Sequence, residues 1–289
     1  MRIGLIGNGY WARVTHAAGL SAQPLVTFAG VWGRDPAKSE VIAAEYGVRA
    51  YRELAELLAD VDAVAFSVPP QVQSELARQA AGAGKHLLLE KPIATTVADG
   101  RRLADAIGDA GVASVVFFTG RFDAGQRAWT AWIAAQHGWD GASGHWLGSA
   151  FGADSPFDTP WRHDKGALWD IGPHVLAMLI GTLGPIERLT ARGGPRDLVQ
   201  LIAQHSSGAA SSAALSIDTP SVSRVDYTVW GEPGIFELPA DPIDAPLALS
   251  TAAGELAAAA TFGDGHPCDV EFGQLVVRLL ADAAQQLAD

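Results

Sequence analysis

A short apolar strand that runs straight into a glycine turn constrains this chain more than any other feature. Arg2-Ile3-Gly4-Leu5-Ile6 leads into Gly7-Asn8-Gly9-Tyr10-Trp11-Ala12, and a helical segment follows over 11–21. The turn fits the pattern G-x-G-x-x-A. Gly7 permits a tight turn after the strand, Gly9 lets the backbone approach a pyrophosphate, and Ala12 lets the helix pack close to the sheet. The N-terminus of that helix presents free N–H groups to the phosphates. Gly7, Asn8, Gly9, Tyr10 and Trp11 are therefore the expected contacts of a dinucleotide.

The next hundred residues keep the same alternation. Strand-like runs at 2–6, 27–32, 63–68, 85–89 and 113–118 alternate with helix-like segments at 11–21, 36–46, 51–58, 72–83 and 97–110. Asp35-Pro36 reads as a helix start, with Pro at the first helical position. Gly82, Gly84 and Gly111 fall where helices hand over to strands, as C-terminal caps do. Strand–helix alternation with short connections predicts an α/β Rossmann domain, a doubly wound parallel sheet. After Gly120 the texture changes. Strands are expected at 144–151, 186–193, 197–204, 211–217 and 224–230, with helices at 124–136, 174–183 and 270–288 and few others after 181. That pattern predicts an α+β domain with a mostly antiparallel open sheet. With 289 residues the chain exceeds one ordinary core. The expected division is 1–120 for nucleotide binding and 121–289 for substrate binding and oligomerisation.

The net charge is −12, from 20 basic and 32 acidic residues, with no run of Lys or Arg. A nucleic-acid groove or a basic membrane-binding face is not expected, and an anionic cofactor needs a local positive site. Cys268 is the single cysteine, which excludes an intrachain disulfide and argues against a Cys-based metal site. No metal is expected. The amino terminus enters a strand directly, without a signal-like segment. No apolar stretch reaches the length of a bilayer, so the cytoplasm is the expected compartment.

The end of the second strand should read the adenosine ribose. NAD sites usually carry Asp or Glu there, bonded to the 2′-hydroxyl. This chain has Val31-Trp32-Gly33-Arg34. Gly33 holds the acidic position, and the Arg34 guanidinium can form paired, charge-assisted bonds to a 2′-phosphate. NADP(H) is favoured over NAD(H), with Asp35 as the group that could still turn toward a ribose.

Glu90-Lys91-Pro92 ends the buried run 85–89, at the carboxyl edge where open α/β sheets bind ligands. An ammonium at Lys91 could hydrogen-bond a substrate oxygen and stabilise charge developing on it. Glu90 is a partner that could orient it, and Pro92 keeps Lys91 extended. Asp170 and His174 are four apart, so on one helix they share a face. Pro173 is tolerated only in a first turn, which a helix start with Asp170 as N-cap satisfies. Two readings stay open. Asp170 is a cap and His174 a first-turn residue, or His174 is a general acid/base that Asp170 orients. Arg121 follows the fifth strand, and Arg162 lies just before the Asp/His element; either could hold an oxygen-rich substrate. Six of the nine tryptophans, Trp129, Trp132, Trp139, Trp146, Trp161 and Trp169, cluster in one third of the chain, most of them expected in the core. His137, His145, His205 and His266 show no metal-like spacing and are assigned to surface or core.

Together, Gly7–Ala12, the run Ala83-Gly84-Lys85-His86-Leu87-Leu88-Leu89-Glu90-Lys91-Pro92, Arg121-Phe122-Asp123 and Trp169-Asp170-Ile171-Gly172-Pro173-His174 resemble the glucose–fructose oxidoreductase/inositol dehydrogenase/rhizopine-catabolism (Gfo/Idh/MocA) family. The resemblance covers about residues 1–180 by motif. It implies a Rossmann domain followed by an α+β domain whose open sheet forms a homodimer or homotetramer interface. It also implies Lys91, Asp170 and His174 as the catalytic group. Pro69, Gln73 and Glu90 join Lys91 among the expected cofactor contacts, and Lys91, Arg121, Arg162, Asp170 and His174 are the expected substrate contacts. Departures are Gln73, where the family often has His, a glycine-rich stretch reduced to Gly166-Ala167, and a shorter chain. The resemblance and the Gly33-Arg34 reading together give the expectation of an NADP(H)-dependent oxidoreductase. Hydride would move between nicotinamide and a CH–OH or C=O carbon of a sugar, cyclitol or related polyol. The alternatives are a reductase of a dihydrodiol, tetrapyrrole or imine, and a non-catalytic dinucleotide-binding regulator.

Overall fold

The computed structural model describes residues 1–151, 155–220 and 223–288. The chain divides into two compact units, Met1–Asp123 with Ile243–Val277, and Ala124–Pro242 with Arg278–Asp289. The first crossing between the units falls after Asp123. Residues 243–277, assigned above to the second domain, belong to the first unit.

In the first unit, β1 (Arg2–Ile6) enters a π-helical turn (Ala12–Ala17) that continues as α1 (Ala18–Ala22). Then come β2 (Thr27–Trp32), α2 (Pro36–Tyr46), β3 (Arg49–Ala50), α3 (Leu54–Asp60), β4 (Ala63–Phe66) and α4 (Pro70–Gly82). β5 (His86–Glu90), α5 (Val97–Ala110), β6 (Ser114–Phe117) and the single turn α6 (Thr119–Phe122) complete the run. All six strands are parallel, in the order β3-β2-β1-β4-β5-β6. Ile3, Leu5, Val64, Phe66, Leu87, Leu88 and Leu89 are fully buried, because helices cover both faces of a parallel sheet and its central strands are apolar throughout. The helix expected at 51–58 starts three residues late. The Tyr51 N–H bonds the Val31 carbonyl at 2.9 Å and its ring is buried, so Tyr51 extends the sheet edge instead.

The second unit opens with α7 (Ala124–Ala134), β7 (Trp139–Leu147), α8 (Pro160–Asp170) and α9 (Gly172–Leu183). β8 (Ile186–Gly193), β9 (Val199–His205), β10 (Ala210–Ser216), β11 (Arg224–Gly231) and β12 (Gly234–Glu237) follow. The sheet order is β12-β11-β7-β10-β9-β8, with only the β7–β10 pair parallel. β9 shows the alternation of a half-covered sheet: Val199, Leu201, Ala203 and His205 are buried, while Gln200, Ile202 and Gln204 are exposed. α9 packs on β7 and β10, and its Val175, Leu176, Ala177 and Leu179 are buried. By length and composition, 160–183 could cross a membrane. It is two helices joined at Ile171, however, and 67 % of its most apolar window is buried.

α10 (Ala245–Phe262) returns to the first unit and was not foreseen. It is apolar nearly all round, the signature of a buried helix without a polar stripe. It lies so close to α1 that a Cβ on Gly19 would meet the Pro246 carbonyl and the Leu249 side chain. The last helix is α11 (Val270–Ala288).

Candidate active site

The turn after β1 is built by close backbone approach. Gly7 has φ 125°, its N–H bonds the Trp32 carbonyl at 2.8 Å, and any Cβ there would strike the Ser67 carbonyl. The Cβ direction of Gly9 opens onto free space. That clearance, beside the amino end of the helical segment, fits a pyrophosphate.

The ribose-reading end of β2 has its own logic. A Cβ on Gly33 would collide with the Asn8 side chain. The Asn8 amide donates to the Asp35 carbonyl at 2.6 Å and to Ser39 Oγ at 2.9 Å. The space an acidic residue would need is thus filled by Asn8. The Asp35 carboxylate caps α2, accepting from the Ala37 and Lys38 N–H groups at 3.1 and 3.4 Å, and lies 3.9 Å from the Lys38 ammonium. Asp35 is therefore engaged rather than turned toward a ribose. Arg34 is exposed, and no ion pair or hydrogen bond engages it among the described residues.

At the end of β5, Gln73 braces the main chain from α4. It is fully buried, its amide donates to the Glu90 carbonyl at 2.7 Å and to the Pro92 carbonyl at 3.3 Å, and its oxygen accepts the Glu90 N–H at 2.8 Å. The Glu90 N–H and the Glu90 and Pro92 carbonyls are thereby satisfied from α4. Pro69 sits at the N-cap of that helix. The Glu90 carboxylate is buried and accepts three bonds. Trp11 Nε1 donates to Oε1 at 2.8 Å, His16 Nε2 lies 2.9 Å from the same oxygen, and the Lys91 N–H donates to Oε2 at 3.1 Å. The Lys91–Pro92 peptide is cis. Tyr10 stands exposed at the turn. Arg121, in α6, lies beside Cys268. Burial pushes that thiol up, and the guanidinium draws it part of the way back.

In the second unit, Asp170 is not an N-cap. It is the last residue of α8, and α9 starts at Gly172 after Ile171, which makes no side-chain cap. The cap expectation fails because Arg162 claims the carboxylate. Its Nε donates to Oδ2 at 2.7 Å and its Nη2 to Oδ1 at 3.3 Å, and its Nη1 reaches the Phe157 carbonyl at 3.3 Å. The guanidinium also lies over the Phe157 and Trp161 rings, 5.2 and 5.7 Å from their centroids. Arg162 is thus engaged by Asp170. Gly166, with φ 61°, breaks α8 so that Asp170 comes back toward Arg162. Pro173 falls in the first turn of α9 as expected, and His174 N–H bonds the Ile171 carbonyl at 2.9 Å. Among the clustered tryptophans only Trp146 and Trp169 are buried; Trp132 is 44 % exposed and stands edge-on to Phe236.

His16 was missed at the sequence level. The signal was available: a single imidazole on the apolar face of the helix that follows the glycine turn. A cavity of about 300 Å³, lined in part by His86, Ser114, His266 and Asp269, lies at the opposite edge of the first sheet, where β5 and β6 begin. It is remote from Lys91, which follows the other end of β5.

The family model described as "Oxidoreductase family, NAD-binding Rossmann fold" matches residues 1–118, and that described as "GFO/IDH/MocA C-terminal domain" matches 144–237. Galactose 1-dehydrogenase of Pseudomonas fluorescens is 37 % identical over 100 residues, 34 % of this chain and 31 % of that protein. Levoglucosan dehydrogenase of Pseudarthrobacter phenanthrenivorans is 26 % identical over 217 residues, 66 % of this chain and 53 % of that protein. The matched stretches thus span 31 % and 53 % of these relatives' lengths. The crystal structure of GenD2 from gentamicin A biosynthesis, in complex with NAD, superposes with a TM-score of 0.87 at 21 % identity, over 100 % of this chain and 94 % of that one. At that identity the likeness establishes the fold.

Proposed function

Because this chain belongs to the Gfo/Idh/MocA oxidoreductase family, we propose that it is an NADP(H)-dependent oxidoreductase acting on a CH–OH or C=O carbon of a sugar, cyclitol or related polyol. The observation that carries the reading is the carboxyl edge of the first sheet, where Glu90 links the glycine-turn helix to the Lys91 backbone. Nicotinamide, when bound, supplies the hydride acceptor or donor. Lys91 holds the reacting oxygen and stabilises charge developing on it. His174 exchanges the proton of that oxygen. Asp170 orients His174 and is itself held by Arg162. The substrate class is supported by the names of the relatives, which act on galactose and levoglucosan.

Preference for NADP(H) is supported by three features of this chain. Asn8 fills the acid's place over Gly33, Asp35 is engaged as a cap, and Arg34 is available for a 2′-phosphate. Assembly through the second-unit sheet is supported by Ile202 and Ile235, 60 % and 75 % exposed on its outer face.

Fluorescence titration with NADPH and NADH side by side, followed by turnover assays on galactose, levoglucosan and myo-inositol, tests the reading. A charge-assisted contact to the 2′-phosphate is worth about 1.5–3 kcal/mol, so NADPH should bind about ten- to a hundredfold more tightly. Arg34→Ala should remove most of that difference. Equal or tighter NADH binding overturns the Arg34 assignment, and binding of neither nucleotide overturns the enzyme reading.

A further inference from the structure

We propose that His16 is a positioning residue for Lys91, and that the π-helical turn which carries it serves to bring two donors of the nucleotide-binding helix onto one carboxylate. The proposal rests on Lys91 being the residue that meets the reacting oxygen.

The register is the first observation. Trp11 and His16 are five residues apart, yet Trp11 Nε1 and His16 Nε2 reach the same oxygen, Glu90 Oε1, at 2.8 and 2.9 Å. At 3.6 residues per turn, positions five apart point about 140° away from each other around a helix. An i→i+5 turn closes one residue later and returns the fifth residue to nearly the same face. The turn Ala12–Ala17 is of that kind. A regular α-helix here would turn one of the two donors away from Glu90.

The second observation is that His16 is poorly suited to a purely structural place. It has no solvent exposure, and its Nδ1 is a buried polar atom with no hydrogen-bond partner among the described residues. The ring also stands edge-on to Phe117, with centroids 6.0 Å apart. An unmet buried polar atom costs about 1–3 kcal/mol, a cost that an apolar side chain filling the same space would not carry. What the imidazole gains is the Nε2 bond to Glu90.

The third observation is what Glu90 holds in turn. Gln73 fixes its backbone N–H and carbonyl, Trp11 and His16 fix Oε1, and Oε2 accepts the Lys91 N–H. Glu90 has no freedom left, and the peptide that starts Lys91 inherits its position. The turn that receives the pyrophosphate and the strand end that carries the lysine therefore form one hydrogen-bonded unit. Misplacing a reacting group by about 1 Å can cost up to about a hundredfold in rate.

The test compares His16→Leu, which removes the donor, with His16→Gln, whose amide N–H can still reach Glu90 Oε1. Four quantities are measured: NADPH affinity, kcat and KM on whichever polyol the wild type oxidises, and the rate at which trinitrobenzenesulfonate labels each of the four lysines, resolved by peptide mass spectrometry. His16→Leu should lower kcat by about tenfold or more with little change in KM or NADPH affinity. It should also change the labelling of Lys91 while leaving Lys38, Lys85 and Lys165 as they are. His16→Gln should restore both. If His16→Leu does not fold, Trp11→Phe removes the companion donor and should move kcat and Lys91 labelling in the same direction. Wild-type kcat and Lys91 labelling in the donor-less variant overturn the proposal. If the wild type turns over no polyol, the enzyme reading fails, and the labelling rates alone decide whether His16 positions Lys91.

Discussion

The end of β5 and the junction of α8 with α9 hold their functional side chains by opposite means. At β5 the main chain does the placing. Glu90 is in parallel register with Phe117, its own N–H and carbonyl are bound by Gln73, and Lys91 is simply the next residue. At the junction no sheet register acts. Asp170 is where it is because a guanidinium eight residues earlier grips both its oxygens and because Gly166 breaks the helix between them. In the first region Lys91, the residue proposed to meet the reacting oxygen, follows a frame built from main-chain and Gln73 hydrogen bonds. In the second, Asp170, the residue proposed to orient His174, is itself half of the ion pair that forms the frame.

That contrast predicts a separation of activity from stability at Lys91. Lys91→Ala should lower kcat by about 10²–10⁴-fold, the usual contribution of a positioned proton-transfer or charge-stabilising group, while the thermal midpoint stays within a degree or two. Steady-state kinetics and a calorimetric scan on the same preparation check it. A large fall in the midpoint would show that the strand end depends on the lysine, and the contrast would be lost.

Arg162 should behave the other way. The Arg162 and Asp170 side chains are only 20 % and 12 % exposed. Removing one partner of a buried pair costs about 3–5 kcal/mol, and partial exposure puts Arg162→Leu at the lower end. Arg162→Lys keeps the charge but not the fork, so it should recover only part of the loss. Denaturant unfolding of both variants, with turnover measured beside it, tests this. Loss of activity at unchanged stability would make Arg162 a substrate contact after all.

The same contrast explains what could be read in the sequence. α2 and α5 were legible to the residue because their ends carry their own chemistry: Asp35 before Pro36 at one start, Thr96 accepting the Asp99 N–H at 3.0 Å at the other, and Gly111 at φ 62° closing α5. The strand end that precedes Lys91 was legible because periodicity defines such a place. Arg162–Asp170 was not, since a break at one glycine and a side-chain fork leave no period to follow. α10 escaped for a related reason. Alanine, leucine, glycine and serine all round it give no polar face, and its return to the first unit is a long-range event. His16 escaped because the π turn shifts it out of the α-helical register on which any pattern reading relies.

The smallest expected effect concerns acid stability, and it sharpens the comparison by asking which unit answers to pH. His205 in the second unit is buried, with Nδ1 on the Gly184 carbonyl at 2.8 Å and Nε2 2.8 Å from Ser211 Oγ. Burial lowers its pKa, and the Gly184 bond offsets only part of that. His86 in the first unit is also lowered by burial, with Asp62 opposing; it is only partly covered, and its Nδ1 accepts the Ala113 N–H at 3.0 Å. For a histidine lowered in the folded state, the unfolded chain takes up the proton first as pH falls below about 6.5. The stabilisation is then complete above that pH and is lost on going down toward the folded pKa. One such proton gives a slope of at most about 1.4 kcal/mol per pH unit. Urea unfolding between pH 7.5 and 5.5 should therefore show stability falling with pH. His205→Gln, which cannot titrate, should flatten that slope more than His86→Gln does, because His205 is the more completely buried of the two. Equal slopes in wild type and His205→Gln would place the acid sensitivity outside the second-unit sheet.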